Sequence, residues 1–467
     1  MKKFIIIIII VTLCYGHLAF ASSPWDEAKK IEAQIARTNF PNKVFNIKDF
    51  GAKPDNPEAP CHKAINDAIL QCSLSGGGQV LIPAGTYYTG PVTLKSNVNL
   101  HLEEGATLKF STNRSLYLPA VITRWEGVDC YNYHPLIYAY GERNIAITGK
   151  GTIDGQGSNE HWWPLCGSPR YGWKAGIVSQ GQGGRKKLLG FEQSGAPIEE
   201  RIMGENEALR PQLINLYKCN TILISDVKLT NSPFWVIHPL MCENLIVSGV
   251  HINSHGPNND GCDPESSKNV LIEKCFFDTG DDCIAIKSGR NNDGRLWSIP
   301  SENIIVRGCK MLDGHGGVVI GSEISGGYKN LFVEDCDMDS PDLERVIRIK
   351  TNTCRGGIVE NVFVRNIKVG QCKEAVLKIN LLYEPREECN RGFPPTVRNV
   401  SLENVTCEKS QYGVLLVGLE ESQNIYDISV KNSKFNNVAK GNQITGAKNV
   451  VLQNLSLNGE KADQTIN

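Results

Sequence analysis

Alternating apolar and polar residues recur along most of the chain and predict short β-strands. Each repeat opens with an asparagine followed by apolar side chains at every second position, as in Asn244-LIVSGVHIN and Asn303-IIVRGCKML. Nine such asparagines, from Asn220 to Asn449, lie 24, 25, 34, 27, 31, 38, 25 and 25 residues apart. A period of about 25 residues is typical of one solenoid coil, whereas a β-propeller blade needs about 40–50.

The repeat therefore predicts an all-β fold, a single-stranded right-handed parallel β-helix. Equivalent positions of successive coils would stack about 4.8 Å apart, and the repeated asparagines would form a ladder of side-chain amides. Two segments follow a helical pattern instead. One helix is predicted from Trp25 to Ala36, within an N-terminal lead-in of residues 22–44, and the other, over 62–72, would cap the open end of the solenoid.

The β-helix domain is predicted to span residues 45–467, with a loop insertion at about 156–215 that breaks the repeat. This insertion contains Trp162, Trp163 and a basic run from Arg185 to Lys187, and it could form a lid or simply a solvated loop. After residue 80 no helical periodicity of useful length is evident.

The N-terminus has the pattern of a secretory signal peptide. Lys2 and Lys3 precede an apolar run, and Ala19-Phe20-Ala21 resembles a cleavage site, so residues 1–21 would be removed after Ala21. The apolar run is shorter than the roughly 20 residues of a membrane-spanning helix, which leaves a membrane anchor as the less favoured alternative. We therefore expect a secreted or periplasmic protein without stable membrane insertion.

Charge and cysteine content exclude several function classes. Lys and Arg total 49 and Asp and Glu total 50, a balance that argues against a nucleic-acid partner. Removal of the signal peptide would leave 15 of the 16 cysteines, an odd number that requires at least one free thiol. There is no C-x-x-C pair to suggest a metal or redox site, and cysteines such as Cys275 and Cys309 recur in the repeat as expected for a buried ladder. We expect a monomer without cofactor or metal.

Ionisable residues cluster in successive repeats. Asp281 lies 12 residues after Asn269 and His315 lies 12 after Asn303, so both should occupy the same corner of adjacent coils. Asp260 falls at a nearby turn one coil earlier, and Arg348 and Lys350 fall on one side of a strand one coil later. Gly-Asp and Asn-Asp-Gly are also common turn sequences. Stacked carboxylates beside two cations, however, suit hydrolysis of an acidic sugar, with one carboxyl as the acid and another activating water.

These residues carry a resemblance to a known family. The chain resembles the polygalacturonases of glycoside hydrolase family 28, pectin-degrading enzymes with a pectin-lyase-like β-helix, from about Phe45 to the last repeat. The specific part of the resemblance is four motifs in order, followed by Tyr383: Asn258-Asn259-Asp260, Gly280-Asp281-Asp282, Gly314-His315-Gly316 and Arg348-Ile349-Lys350. Asn259 departs from the family's threonine, a change expected to affect affinity more than catalysis.

The resemblance implies roles for the matching residues. Asp281 would be the general acid, Asp260 and Asp282 would activate water, and His315 would support the acid. Substrate binding would fall to four residues, of which the two cations would hold a sugar carboxylate: Arg348, Lys350, Tyr383 and Asn258. The family cleaves α-1,4-galacturonosyl linkages with inversion and without a metal. Segments such as Gly280-DDCIAIKSGRNNDG resemble the exo-acting bacterial members.

Other functions remain open at this point. Related hydrolases act on rhamnogalacturonan or other branched pectins, although they usually lose His315 or the Arg-Ile-Lys motif. A calcium-dependent pectate lyase has the same fold but uses an arginine base, and no matching calcium cluster is evident. A non-catalytic β-helix adhesin or carbohydrate-binding protein is disfavoured by the complete set of acid and base residues.

Overall fold

The chain winds into stacked coils whose strands pair in register from one coil to the next, which confirms the predicted parallel β-helix. The computed structural model describes residues 23–467. The predicted signal peptide, residues 1–21, lies outside this part of the chain.

The strands are short except near the C-terminal end, and the helices lie outside the coils. Numbered in chain order, the strands are β1 (Val44–Asn46), β2 (Gly78–Ile82), β3 (Gly85–Thr89), β4 (Val92–Thr93), β5 (Val98–Leu102), β6 (Ala106–Phe110), β7 (Val121–Trp125), β8 (Val128–Asn132), β9 (Ile137–Tyr140), β10 (Arg143–Gly149), β11 (Thr152–Asp154), β12 (Ile214–Tyr217), β13 (Asn220–Ser225), β14 (Lys228–Thr230), β15 (Ile237–Leu240), β16 (Glu243–Ser248), β17 (His251–Ser254), β18 (Lys268–Glu273), β19 (Phe276–Thr279), β20 (Ile284–Ile286), β21 (Ser301–Arg307), β22 (Lys310–Met311), β23 (Val318–Ile320), β24 (Tyr328–Glu334), β25 (Asp337–Met338), β26 (Arg345–Lys350), β27 (Ile358–Gln371), β28 (Ala375–Asn380), β29 (Thr396–Lys409), β30 (Tyr412–Val417), β31 (Ile425–Phe435), β32 (Gln443–Thr445), β33 (Ala447–Leu457), β34 (Glu460–Lys461) and β35 (Gln464–Ile466). The α-helices are α1 (Pro24–Gln34), α2 (His62–Leu74), α3 (Gly184–Ser194) and α4 (Asn291–Trp297).

The strands form three parallel ladders along the solenoid. The first contains β1, β2, β5, β10, β13, β16, β18, β21, β24, β27, β29, β31 and β33. The second contains β3, β6, β11, β14, β17, β19, β22 and β25 and merges with the first at β27. The third runs from β4 through β9, β12 and β15, crosses Cys262 by isolated bridges, and continues through β20, β23, β26, β28, β30 and β32. This third ladder carries the candidate site.

Stacked aliphatic side chains fill the interior between the ladders. Leu245, Val270, Ile304, Leu331 and Val362 occupy one such column, each paired with the next by strand register, and all five are buried in the main core. Full burial of a side chain of this size contributes roughly 1.5–3 kcal/mol. The alternating pattern of the sequence thus becomes a continuous core.

The predicted asparagine ladder is present at the edge of the first ladder. The amide nitrogen of Asn303 donates to the amide oxygen of Asn269 at 3.0 Å, and Asn330 donates to Asn303 at 2.9 Å. The same bonds continue through Asn361 and Asn399. Each of these asparagines has a left-handed backbone conformation, which asparagine tolerates better than most residues.

Two of the predicted asparagines are out of register. Asn220 pairs with Glu243, so the left-handed position of that coil belongs to Thr221, with φ of 60°. Asn424 precedes β31, and Asp427, with φ of 58°, takes the ladder position instead. These offsets, of one residue at Asn220 and three residues at Asn424, were invisible in the sequence because the residues that take the ladder positions are also polar.

Both ends of the solenoid are covered. At the N-terminal end α2 packs Ile65 and Ile69 onto the first coil, which confirms the predicted capping helix. At the C-terminal end β34 and β35 turn back and pair antiparallel with β33. Helix α1, close to the predicted bounds, lies on the outside of the first ladder, where Ile31 contacts the apolar cluster of Leu271 and Phe332.

Two helices occur where no helical periodicity was expected. Helix α3 lies in the strand-free stretch between β11 and β12, which also contains four 3-10 turns, and α4 lies between β20 and β21. The prediction was wrong here because both helices are short and pack by only a few residues, so neither needs a long apolar stripe. Hairpin β7–β8 covers the same side, packing Trp125 on Phe234.

The cysteines are mostly free and buried, as the ladder hypothesis predicts. Among residues 23–467, 13 cysteines are free, and 12 of these are buried. Cys354 and Cys389 form a disulfide bond. Within the same residues, no helix has the length and apolar character required to cross a membrane.

Candidate active site

A cavity of about 390 Å³ opens on the outer side of the third ladder, within the ~300–1,000 Å³ range of ligand pockets. Six carboxyl groups, six cationic side chains and His315 dominate its lining. The fold places them by strand alternation: on β26, Ile347 and Ile349 enter the core, so Arg348 and Lys350 face the cavity. Arg345 begins the same strand, Arg185 comes from α3, and the other charged residues come from segments between the strands.

Asp281 and His315 form an ion pair at the amino ends of β20 and β23. The Nδ1 atom of His315 lies 2.9 Å from Oδ1 of Asp281, and the backbone N–H of His315 donates to the Asp281 carbonyl at 3.1 Å. The hydrogen bond raises the pKa of His315 to about 9, so the ring is charged at neutral pH. Burial would raise the pKa of Asp281, but the hydrogen bond and charge of His315 hold it below the ordinary value.

Asp260 has the opposite electrostatic environment. It is 3% exposed, and its Oδ2 atom lies 3.7 Å from Nζ of Lys287, too far for a hydrogen bond. Burial, followed by the negative charge of Asp281, raises the pKa of Asp260 to about 8. Asp260 therefore holds a proton near neutral pH while Asp281 is ionised.

Asp282 lies beneath the cavity. Its carboxylate accepts a hydrogen bond from Nζ of Lys350 at 2.7 Å and one from Arg348 at 3.4 Å, and its side chain is fully buried. The ring of Tyr383 lies 5.5 Å from the Arg348 guanidinium and 5.4 Å from the Lys350 ammonium. The two cations are thus held from below by a carboxylate and from the side by an aromatic face.

The structure brings the predicted residues together. Seven of the eight line the cavity, namely Asn258, Asp260, Asp281, His315, Arg348, Lys350 and Tyr383. Asp282, the eighth, does not line it, although its carboxylate oxygens, those of Asp260 and those of Asp281 include atoms all within 4.8 Å of one another. Asn259 is buried below the cavity, where its side chain accepts hydrogen bonds from Ser254 and from the N–H of Gly256. The asparagine that stands at position 259 in place of the family's threonine therefore affects the turn around Gly256 rather than the lining of the cavity.

Sequence reasoning missed a charged wall at the carboxyl ends of the third-ladder strands. Arg290 is 1% exposed and lies at its centre. Its guanidinium lies 2.8 Å from Glu387, 3.3 Å from Glu323, and 3.5 Å from both Glu126 and Glu384. These residues come from hairpin β7–β8, the turn after β23 and the loop 381–395, so no repeat offset relates them.

Other contacts join the separate segments of this wall. Arg185, at the start of α3, donates to Glu126 at 2.7 Å. Gln193, near the end of the same helix, donates to the Glu388 carbonyl at 2.8 Å. Arg355 lies 2.7 Å from Glu387. The predicted basic run therefore contributes Arg185 to the lining of the cavity. Trp163 does not line the cavity and packs against Gly256.

Lys287 was also missed, although its position carried a signal. It follows β20 directly and lies within 4 Å of carboxylates of Asp260, Asp263 and Glu323. The ring of Trp235 is 4.6 Å from its ammonium. The signal is its sequence position: Lys287 lies just beyond the strand that follows Asp281, and the period of the repeat places it beside the coil that contains Asp260.

Two clusters of ligand atoms have a spacing that suits a cation, one at the cavity and one outside its lining. Oxygen atoms of Asp260, Asp281 and Asp282 converge within 4.8 Å, as do ligand atoms of the second group, His255, Asp278 and Asp313. In the first group Lys350 and Lys287 already supply positive charge. In the second, His255 bonds Asp278 at 3.0 Å and Ser340 bonds Asp313.

Comparison with known proteins identifies related sequences and structures. The profile of the family described as Glycosyl hydrolases family 28 matches residues 201–456, more than half of the chain. A solved structure described as a hyperthermoactive exopolygalacturonase from Thermotoga maritima is similar to this chain with a TM-score of 0.89 and 40% sequence identity. That match covers 94% of this chain and 100% of the other.

Two curated relatives are longer than the region they share with this chain. A probable polygalacturonase of Vitis vinifera is 32% identical over 342 residues, 71% of this chain and 61% of its own length. An exo-poly-alpha-D-galacturonosidase of Dickeya chrysanthemi is 27% identical over 398 residues, 78% of this chain and 63% of its own. The chain therefore spans about three fifths of these relatives.

Proposed function

Because the chain belongs to glycosyl hydrolase family 28, we propose that it hydrolyses the α-1,4-galacturonosyl linkages of polygalacturonate from chain ends. The family resemblance inferred from the four motifs is confirmed by these comparisons. The observation that supports the substrate class best is the cation pair Arg348 and Lys350, which faces the cavity within reach of the Asp281–His315 pair. A cavity that presents cations beside acid and base groups suits a sugar with a carboxylate.

Cleavage would proceed by proton transfer at the glycosidic oxygen and attack of water at the anomeric carbon. Asp281 would donate the proton as the bond to the leaving sugar breaks, and a carboxylate of Asp260 or Asp282 would accept a proton from the attacking water. Burial raises the pKa of Asp260 while His315 lowers that of Asp281, which favours a proton on Asp260 before the substrate reacts. Transfer of this proton to Asp281 would convert one carboxyl into the acid and the other into the base in a single step.

The stereochemical outcome is a separate proposal. The carboxylate oxygens approach within 4.8 Å, below the ~6.5–9.5 Å common in inverting enzymes, so the spacing alone does not favour inversion. The support for inversion comes from the environments of the two candidate bases, Asp282 and Asp260. Asp282 is buried under two cations, and Asp260 is largely protonated near neutral pH. Asp282 is thus held away from the sugar by its cation partners, and Asp260 can accept a proton from water once its own proton has passed to Asp281.

The charged wall supports cleavage at chain ends. It closes the side of the cavity at the carboxyl ends of the strands, while Asp281 and His315 lie at the amino ends. A polymer entering past Asp281 would meet Arg290 and its carboxylate partners. The exo-type relatives are consistent with this arrangement. We further propose that the non-reducing end enters the cavity.

Several broader proposals accompany this function. We propose that residues 1–21 act as a signal peptide and that the protein is secreted or periplasmic. We also propose that residues 22–44 form a lead-in, that residues 45–467 form one catalytic domain with its insertion at about 156–215, and that the protein is a monomer.

The direct test is incubation with polygalacturonic acid in the presence of a chelator. We expect galacturonic acid to accumulate while the viscosity of the polymer falls slowly relative to the release of reducing ends. Oligomers labelled at the reducing end should keep their label as they shorten, and proton NMR should show the inverted anomer first. A steep early fall in viscosity would indicate internal cutting, and turnover of rhamnogalacturonan alone would indicate another substrate.

A further inference from the structure

A buried arginine without a carboxylate partner lies under the candidate site. Arg210 is 0% exposed. Three other fully buried arginines, Arg124, Arg290 and Arg355, each form ion pairs within 4 Å. Among residues 23–467, no carboxylate lies within that distance of Arg210. Burial of an uncompensated charge is costly, so this exception requires an explanation.

Neutral oxygen atoms accept the hydrogen bonds of the Arg210 guanidinium instead. Arg210 donates to the carbonyls of Pro233 and Pro257 at 2.9 and 2.6 Å and to the side-chain oxygen of Gln180 at 3.1 Å. Its fourth bond goes to Oδ1 of Asn258 at 2.7 Å. Burial lowers the pKa of Arg210 to about 10, so the side chain is charged at neutral pH.

The bond to Asn258 determines how that amide faces the cavity. A guanidinium has five N–H donors and no acceptor, so the amide atom that it contacts must be the oxygen. The NH₂ group of Asn258 therefore has no bond to Arg210, and in the described part of the chain it has no other protein acceptor. Asn258 lines the cavity, where this NH₂ group offers N–H donors to a ligand.

We propose that Arg210 is a positioning residue that presents the Asn258 amide as a hydrogen-bond donor to an anionic sugar and adds unneutralised positive charge below it. This inference rests on the proposed function. The ligand group would be a carboxylate or hydroxyl oxygen of a galacturonate unit. Because the guanidinium lies 2.7 Å from Asn258, a residue of the cavity lining, its positive charge lies close to the bound ligand.

Two substitutions separate this role from a structural one. Arg210→Lys keeps the charge but loses the guanidinium N–H that donates to Oδ1 of Asn258. We expect its KM for trigalacturonate to rise about tenfold, corresponding to about 1.4 kcal/mol, with kcat changed less than about threefold. Asn258→Asp places a carboxylate beside the guanidinium but removes the N–H donors. We expect its KM to rise at least as much while its Tm equals or exceeds that of the wild type, because the buried cation gains a partner.

Arg307→Gln is the matched control. Arg307 is likewise held by hydrogen bonds to a neighbouring side chain, here Glu32 at 3.0 and 2.9 Å, but it does not line the cavity. We expect this variant to lose stability without a change in KM. If Arg210→Lys and Asn258→Asp both keep KM within about twofold of the wild type, or if Asn258→Asp lowers Tm, the inference is wrong. A wild type that cleaves no galacturonan would refute the proposed function instead, and the Tm of Asn258→Asp would still test the orientation of the amide.

Discussion

The disulfide between Cys354 and Cys389 allows a quantitative test of the charged wall. It closes a segment of 35 residues and joins the turn after β26 to the loop 381–395. That loop carries Tyr383, which lies beside the two cations, and Glu387, which binds Arg290. Removal of the disulfide should therefore affect both stability and the closed side of the cavity.

The size of the effect follows from the length of the closed segment. For 35 residues the chain-entropy relation gives about 4 kcal/mol at 25 °C. A chain of 467 residues has an unfolding entropy of about 1 kcal/mol per degree near its Tm, so the shift in Tm should be about 4 °C. Backbone bonds such as Tyr383 N–H to Thr351 at 3.1 Å remain, so the loop should loosen rather than detach.

The assay compares Cys354→Ala/Cys389→Ala with the wild type, each with and without dithiothreitol. We expect the double variant and the reduced wild type to melt alike, to show a higher KM for oligogalacturonates, and to lower polymer viscosity more per bond cleaved. Dithiothreitol should not change the double variant further. A double variant with an unchanged Tm and an unchanged ratio of viscosity loss to cleavage would refute the role assigned to this loop.

Three further predictions concern the ionisable groups. Asp281→Asn should keep the fold but lower turnover about 10²–10⁴-fold; a variant with more than a tenth of wild-type turnover would contradict the assignment of the acid. Arg348→Ala or Lys350→Ala should weaken binding of galacturonate more than that of a neutral sugar, as measured by calorimetry, and equal losses would indicate a structural ion pair. Asp260→Asn should gain stability relative to the wild type as pH rises from about 4 to 8. Burial raises the pKa of Asp260 to about 8, so the folded wild type binds a proton that the unfolded chain releases near pH 4; denaturant titrations with parallel pH profiles would refute this reasoning.

The positions of the candidate site residues could be predicted from the sequence because equal offsets from the repeated asparagine become equal positions on successive coils of a solenoid. Asp281 and His315 follow their ladder asparagines by equal intervals, and the structure places their side chains 2.9 Å apart. Strand alternation likewise placed Arg348 and Lys350 on one face. These inferences required only the period of the repeat.

The wall could not be predicted in this way. Glu126, Arg185 and Glu387 come from segments outside the repeat, and their contacts are set by how a hairpin, a helix and a loop fold onto the coils. The proton distribution was equally inaccessible, since the pKa values of Asp260 and Asp281 move in opposite directions through burial and through His315. Sequence offsets describe where a carboxyl lies but not what surrounds it.

The backward turn of β34 and β35 has a consequence for solubility. A stack of parallel strands ends in a row of unpaired N–H and C=O groups, which can template the addition of strands from other molecules. Here Val450, Val451 and Leu452 of β33 are paired instead with residues 464–466 of β35, and α2 covers the opposite end. In a fold with the same strand spacing as amyloid, α2 and the strands β34 and β35 thus cover the ends of the stack that would otherwise be open to further strands.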